Sequence, residues 1–130
     1  MILALKTVDF TTELRLLSAE GQTIQSATWD SGRRLADQLL DKIQQLLSAG
    51  HAGGSDLNGI IIFSGPGSFT SLRIGHSVAN ALADSYDIAV VGADGDDWLK
   101  QGSKALSKAQ SGRPALPEYG AEAHITKPKA

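Results

Sequence analysis

The sequence predicts an α/β fold with a mixed sheet, and three observations carry that reading. Near the start, short segments of alternating polarity are joined by tight turns, the mark of an antiparallel meander. Further on, residues 60–63 and 88–91 are apolar without interruption, as expected of strands covered on both faces. Ahead of each run lies a stretch with apolar residues at helical spacing, 33–49 and then 70–85. Together these make a five-stranded sheet with two to three helices.

In order, residues 1–7 form a short apolar strand. Residues 11–17 alternate, with Leu14 and Leu16 on one face and Glu13 and Arg15 on the other. Glu20-Gly21-Gln22 turns the chain into a third strand over 23–29. Asp30-Ser31-Gly32 offers a helix cap, after which Leu35, Leu39, Ile43, Leu46 and Leu47 share one stripe. A Gly-rich break over 50–55 ends that helix. The strand at 60–63 runs into Gly65-Pro66-Gly67, where glycine permits positive φ and proline stiffens the turn. Ser68 or Thr70 caps the second helix, leaving an arc of N–H groups where an anion can sit. After strand 88–91, Asp94 caps a weaker third helix bearing Trp98, Leu99 and Leu106. Past Gly112, Pro114, Pro117 and Pro128 oppose any regular element. The expected division is a domain over 1–110 and an extended tail, basic overall, over 111–130.

Composition removes several function classes. At 130 residues the chain holds one core, not two lobes. No apolar run approaches the ~18 residues a membrane helix needs, and the opening residues read as a strand, not a signal peptide. The absence of cysteine excludes disulfides, thiolate metal sites and thiol nucleophiles, and the expected location is cytoplasmic. Residues 1–99 carry six Lys/Arg against twelve Asp/Glu, a net of −6, while residues 100–130 carry six against two, a net of +4. An acidic body is a poor footprint for phosphates. Any direct RNA contact is therefore expected on the basic end, against the plainer reading of a solvated tail.

Gly65-Pro66-Gly67-Ser68-Phe69-Thr70, followed by Leu72-Arg73-Ile74-Gly75, closely resembles the signature of the TsaB (YeaZ) family, usually GPGSFTGLRIG. Ser71 departs from it, standing where Gly is usual. The resemblance implies one lobe of the actin-like ATPase (ASKHA) fold. It also implies a non-catalytic partner of TsaD in making threonylcarbamoyladenosine on tRNA, with TsaE supplying an ATPase and tRNA met indirectly. Pairing with TsaD, or with a second copy of the chain, is implied to use the two adjacent helices. Any ATP or ADP is expected only at the interface with TsaD, its anion at Gly65–Thr70.

The residues argue against chemistry of the chain's own. A Walker loop needs a Lys at the helix start, and Ser68, Phe69, Thr70 and Ser71 follow Gly67 instead. Actin-like hydrolysis needs a carboxylate at the end of the first strand, where Leu5-Lys6-Thr7-Val8 stands; Lys6 reads as an outward residue there. Ser68 lacks a Gly-x-Ser-x-Gly setting, and His51, His76 and His124 lack metal spacing and read as surface histidines. The expected catalytic and metal sets are empty. The rival readings are a stand-alone nucleotide-binding or phosphotransfer protein using the Gly65–Thr70 loop, and a self-associating remnant with another partner.

One pattern points to close approach of helices. Ser71, Gly75, Ala79 and Ala83 recur every four residues and form a notch for a partner's ridge, with Leu72, Ile74, Val78 and Leu82 turned to the core. The plainer alternative packs that row on the chain's own sheet. The expected partner interface is Leu35, Leu39 and Ile43 with Ser71, Leu72, Gly75, Val78, Ala79 and Leu82. The resemblance implies a second lobe in relatives, expected to be missing here; the tail, with Leu116, Tyr119 and Ile125, is expected either to dock on the sheet or on TsaD or to stay free.

Overall fold

Uninterrupted apolar runs become the middle of the sheet, and alternating ones its margin. The computed structural model describes residues 1–118. Strand β1 (Ile2–Thr7) pairs antiparallel with β2 (Thr11–Leu17), which pairs antiparallel with β3 (Thr23–Asp30). On its other side β1 runs parallel to β4 (Gly59–Phe63), and β4 to β5 (Ala89–Ala93). The order β3-β2-β1-β4-β5 is thus an antiparallel meander continued by parallel strands. Every residue of β4 is buried, because helices cover both of its faces.

Alternation along the strands divides the core in two. Leu3, Leu5, Leu14, Leu16, Ile60 and Ile62 face α1 (Leu35–Ala49) and α2 (Phe69–Tyr86). Ile2, Ala4, Leu17, Ile61, Phe63 and Ala93 face α3 (Trp98–Leu106), whose Trp98 meets Phe63 edge-on at 5.7 Å. The result is a three-layer α/β/α arrangement.

Capping follows expectation in one helix and departs in two. Ser68 caps α2 by accepting from the Ser71 N–H at 3.1 Å. Ser31 does not cap α1. It is buried, lies 2.8 Å from the Thr12 hydroxyl and donates to the Phe10 carbonyl, and a 3₁₀ turn over Gly32–Arg34 leads into the helix. Asp94 does not cap α3 either. The Gln101 side-chain amide clamps the Asp94 backbone from both sides, and the helix starts after Asp97.

Past α3 the described chain returns over α2 as an extended strap. The Asn80 side-chain amide exchanges two hydrogen bonds with the Ala115 backbone, at 2.9 and 3.0 Å, and the Glu118 N–H donates to the Ser64 carbonyl at 2.7 Å. Ala115 is the buried anchor. Leu116, expected to dock, is 76% exposed, because the Asn80 pairing turns its side chain outward. Tyr119 and Ile125 lie outside the described residues.

Candidate functional site

The Gly-rich turn is locked to the first strand's extension, which takes up the Ser68 N–H. Gly65 has φ +123°, and a Cβ there would overlap the Glu118 carbonyl oxygen. A Cβ on Gly67 would come within 2.8 Å of the Val8 carbonyl oxygen. The Ser68 N–H donates to that same Val8 oxygen at 2.6 Å, the Ser71 N–H to Ser68 Oγ, and the Leu72 N–H to the Ser68 carbonyl. Pro66 and Thr70 stand exposed, and Phe69 carries the Arg73 guanidinium 5.2 Å above its ring. Ser71, the departure from the family signature, donates its hydroxyl to the Asp9 carbonyl at 3.0 Å and so ties α2 to the β1–β2 turn. The turn acts first as a latch between α2 and the sheet.

The notch expected along α2 is closed. Ser71, Gly75, Ala79 and Ala83 are all buried against the chain's own sheet. A Cβ on Gly75 would overlap Thr7 Oγ1 and meet two further Thr7 atoms at 3.0 Å. The small row therefore brings α2 close to β1, the plainer of the two sequence readings, and leaves no notch open to a partner. Leu35, Leu39, Ile43 and Leu72 are likewise core residues, so only Val78 and Leu82 of the expected interface reach the surface. The physical reason is that both flanks of α2 are apolar, and the sheet takes the flank that permits the shorter approach.

What remains open is the outer edge between the two helices. Ile74, Val78 and Leu82, one turn apart, are part-exposed along α2, and Leu40 on α1 is 51% exposed. Two hollows adjoin there. One of about 440 Å³ is lined by Ala36, Thr70, Arg73, Ile74, Ser77 and Val78. The next, about 360 Å³, is lined by Leu40, Ser77, Val78, Ala81, Leu82 and Ser85. Their shared residues, Ser77 and Val78, make them one groove with apolar walls and a single cation, Arg73, at its α2 N-terminal end. Leu40, Ile74 and Ala81 line the groove but stand outside the expected interface set. The available signal was Leu40, which follows Leu39 by about 100° of helix turn and widens the stripe beyond what one buried face needs.

Other expected residues sort as follows. Lys6 packs its ammonium 4.5 Å from the Phe63 ring centre. His51 is exposed; His124 lies outside the described residues; His76, expected at the surface, is 3% exposed. Its Nδ1 lies 2.8 Å from the Leu72 carbonyl, the helical i−4 position, which makes Nδ1–H the donor and leaves Nε2 without a partner among the described residues. Burial pushes its pKa below 6.5, and the bond to Leu72 opposes that weakly. Because the unfolded chain takes up this proton more readily, stability is full above pH 6.5. It falls as pH drops from there through the lowered folded value, with a slope of at most about 1.4 kcal/mol per pH unit. Urea midpoints from pH 7.5 to 5 are expected to decline for this reason, and His76→Gln to flatten the decline. Among the described residues no group of three His, Cys, Asp or Glu is placed to hold a metal ion, and no helix is long and apolar enough to cross a membrane.

A three-strand meander, two parallel strands and helices on both faces define a single lobe of the actin-like fold. A family model described as TsaD, tRNA N6-adenosine threonylcarbamoyltransferase, matches residues 29–101. The tRNA threonylcarbamoyladenosine biosynthesis protein TsaB of Escherichia coli K12 is 26% identical over 102 residues, covering 69% of this chain and 44% of that protein. TsaB of Bacillus subtilis 168 is 30% identical over 89 residues, covering 68% and 38%. The solved structure of YeaZ from Pseudomonas aeruginosa superposes with a TM-score of 0.66 at 30% identity, over 72% of this chain and 43% of that one. The chain belongs to the TsaB/YeaZ branch of this TsaD-type family, and it spans less than half the length of the relatives it matches.

Proposed function

We propose that the chain is a non-catalytic subunit that docks on a TsaD-like protein and supports threonylcarbamoylation of the adenosine next to the anticodon of tRNA, in the cytoplasm. The observation that carries this is the apolar groove along the outer edge of α1 and α2, with Val78 lining both of its hollows and the exposed Leu40 lining one. The reading keeps the two-helix surface that the resemblance implies and moves it from the buried small row to this edge. A helix pair laid across it, ridge into groove, extends the packing already made between α1 and α2. The chain alone is proposed to hold no nucleotide, since the Gly65–Thr70 turn is latched to Val8 through the Ser68 N–H and carries no lysine to hold a phosphate, leaving ATP or ADP to the joint with TsaD. A TsaE-like ATPase enters through that complex.

The test is co-elution with TsaD from the same organism. Leu40→Glu with Ala81→Arg changes two exposed positions and leaves the fold intact. It is expected to weaken pairing by about thirtyfold or more, the scale of losing a central apolar anchor. Pairing that survives both charges, or ATP turnover by the purified chain, removes the proposal.

A further inference from the structure

We propose that the solvent face of α3 and the turn after it, formed by Lys100, Lys104, Lys108 and Arg113, is a contact surface for the phosphate backbone of RNA. The choice of RNA rests on the proposed role in tRNA modification, while the charge pattern stands by itself.

Three observations carry it. The first is where these cations lie. Trp98, Gly102 and Leu106 press α3 onto the sheet, so close that a Cβ on Gly102 would overlap Ile61. Lys100 and Lys104 therefore point directly away from it, about 6 Å apart along the axis. Lys108 continues their line, because the backbone stays in helical turns through Ala109. The second is that none of the four has an ion pair or an aromatic partner among the described residues. Elsewhere most cations are engaged, Arg15 with Glu13, Lys6 over Phe63, Lys42 over Trp29 and Arg73 over Phe69, and the neighbouring Arg33 and Arg34 are the exception. The third is a cleft of about 470 Å³ at the free edge of β5, bordered by Lys108, Gln110 and Arg113. A phosphate seated there meets an ammonium, a guanidinium and an amide, a donor set suited to its oxygens. Asp94, Asp96 and Asp97 close the other end of the track with negative charge, which limits where a strand can lie. Residues 1–99 carry a net charge of −6, with Arg33 and Arg34 their one exposed, unengaged basic pair.

The experiment measures binding of a fluorescent anticodon stem–loop RNA by anisotropy, with TsaD pairing followed on the same preparations. Four phosphate contacts predict roughly a hundredfold loss of affinity between about 50 and 200 mM salt, and Lys→Gln at 100, 104 and 108 together reduces that loss to about fourfold. The triple variant is expected to bind RNA at least tenfold more weakly at low salt and still to pair with TsaD. RNA binding that is absent, or indifferent to the variant, overturns the inference whatever TsaD does. Tighter binding to phosphatidylserine vesicles than to RNA overturns it as well. Variant-sensitive RNA binding without TsaD pairing upholds this surface and removes the proposed function instead.

Discussion

Gly75→Leu is expected to destabilise the chain severely, by about 3 kcal/mol or more. α2 crosses β1 at a distance set by the absence of a side chain at 75, where a single Cβ would overlap Thr7 Oγ1. Thr7 is fully buried and β-branched, and its Cβ and Cγ2 also lie 3.0 Å from that position, so rotating the side chain does not clear the space. The helix is held on both sides of the contact, by Ser71 Oγ on the Asp9 carbonyl and by Ala79 in the core. Overpacking usually costs 1–3 kcal/mol, and a leucine against a clamped helix lies at or above the top of that range, about 3 kcal/mol. Gly75→Ala sharpens the point. On helix propensity alone it gains about 1 kcal/mol, yet the overlap with Thr7 is expected to make it a net loss. Denaturation followed by far-ultraviolet circular dichroism measures both. A Gly75→Ala chain more stable than the parent would mean that the small row faces outward after all.

Trp98→Ala is expected to destabilise by about 3–5 kcal/mol, the usual range for emptying a buried aromatic site. Trp98 is 5% exposed and anchors the smaller of the two cores, where its partners are Phe63, Ile61 and Ala93. α3 is only nine residues long, too short to persist once detached, so its helical signal goes with its docking. Against the 5–15 kcal/mol typical of a domain this is a large fraction. The lysine track rides on the same helix, so RNA affinity falls in parallel with stability. A midpoint shift worth less than about 1 kcal/mol would show that α3 is held by something other than this ring.

The strands, the fold class and the Ser68 cap were legible because they are local. Alternation over 11–17 and continuous apolarity over 60–63 state their burial directly, and β2 and β4 form where these patterns stand. Which side of α2 meets the sheet was not legible. Periodicity groups Ser71, Gly75, Ala79 and Ala83 on one face, and Ile74, Val78 and Leu82 on another, but both faces are apolar enough to be buried. Only the presence of Thr7 beneath Gly75 decides between them, and that is a contact between residues far apart in the chain. The strap was hidden for a related reason. Its prolines correctly predict no helix or strand, while the Asn80 amide that pairs with Ala115 carries no local signature. Histidine is usually exposed, which is all the sequence says of His76, and its burial depends on what packs over its place on α2.

Hydrogen exchange of the full chain, with and without TsaD, tests the central claim most directly. The account predicts slowed exchange in the facing turns of α1 and α2, around residues 36–44 and 73–85, with β3 unchanged. Unaltered exchange in both helices on adding TsaD, or protection confined to the opposite face of the sheet, would contradict it.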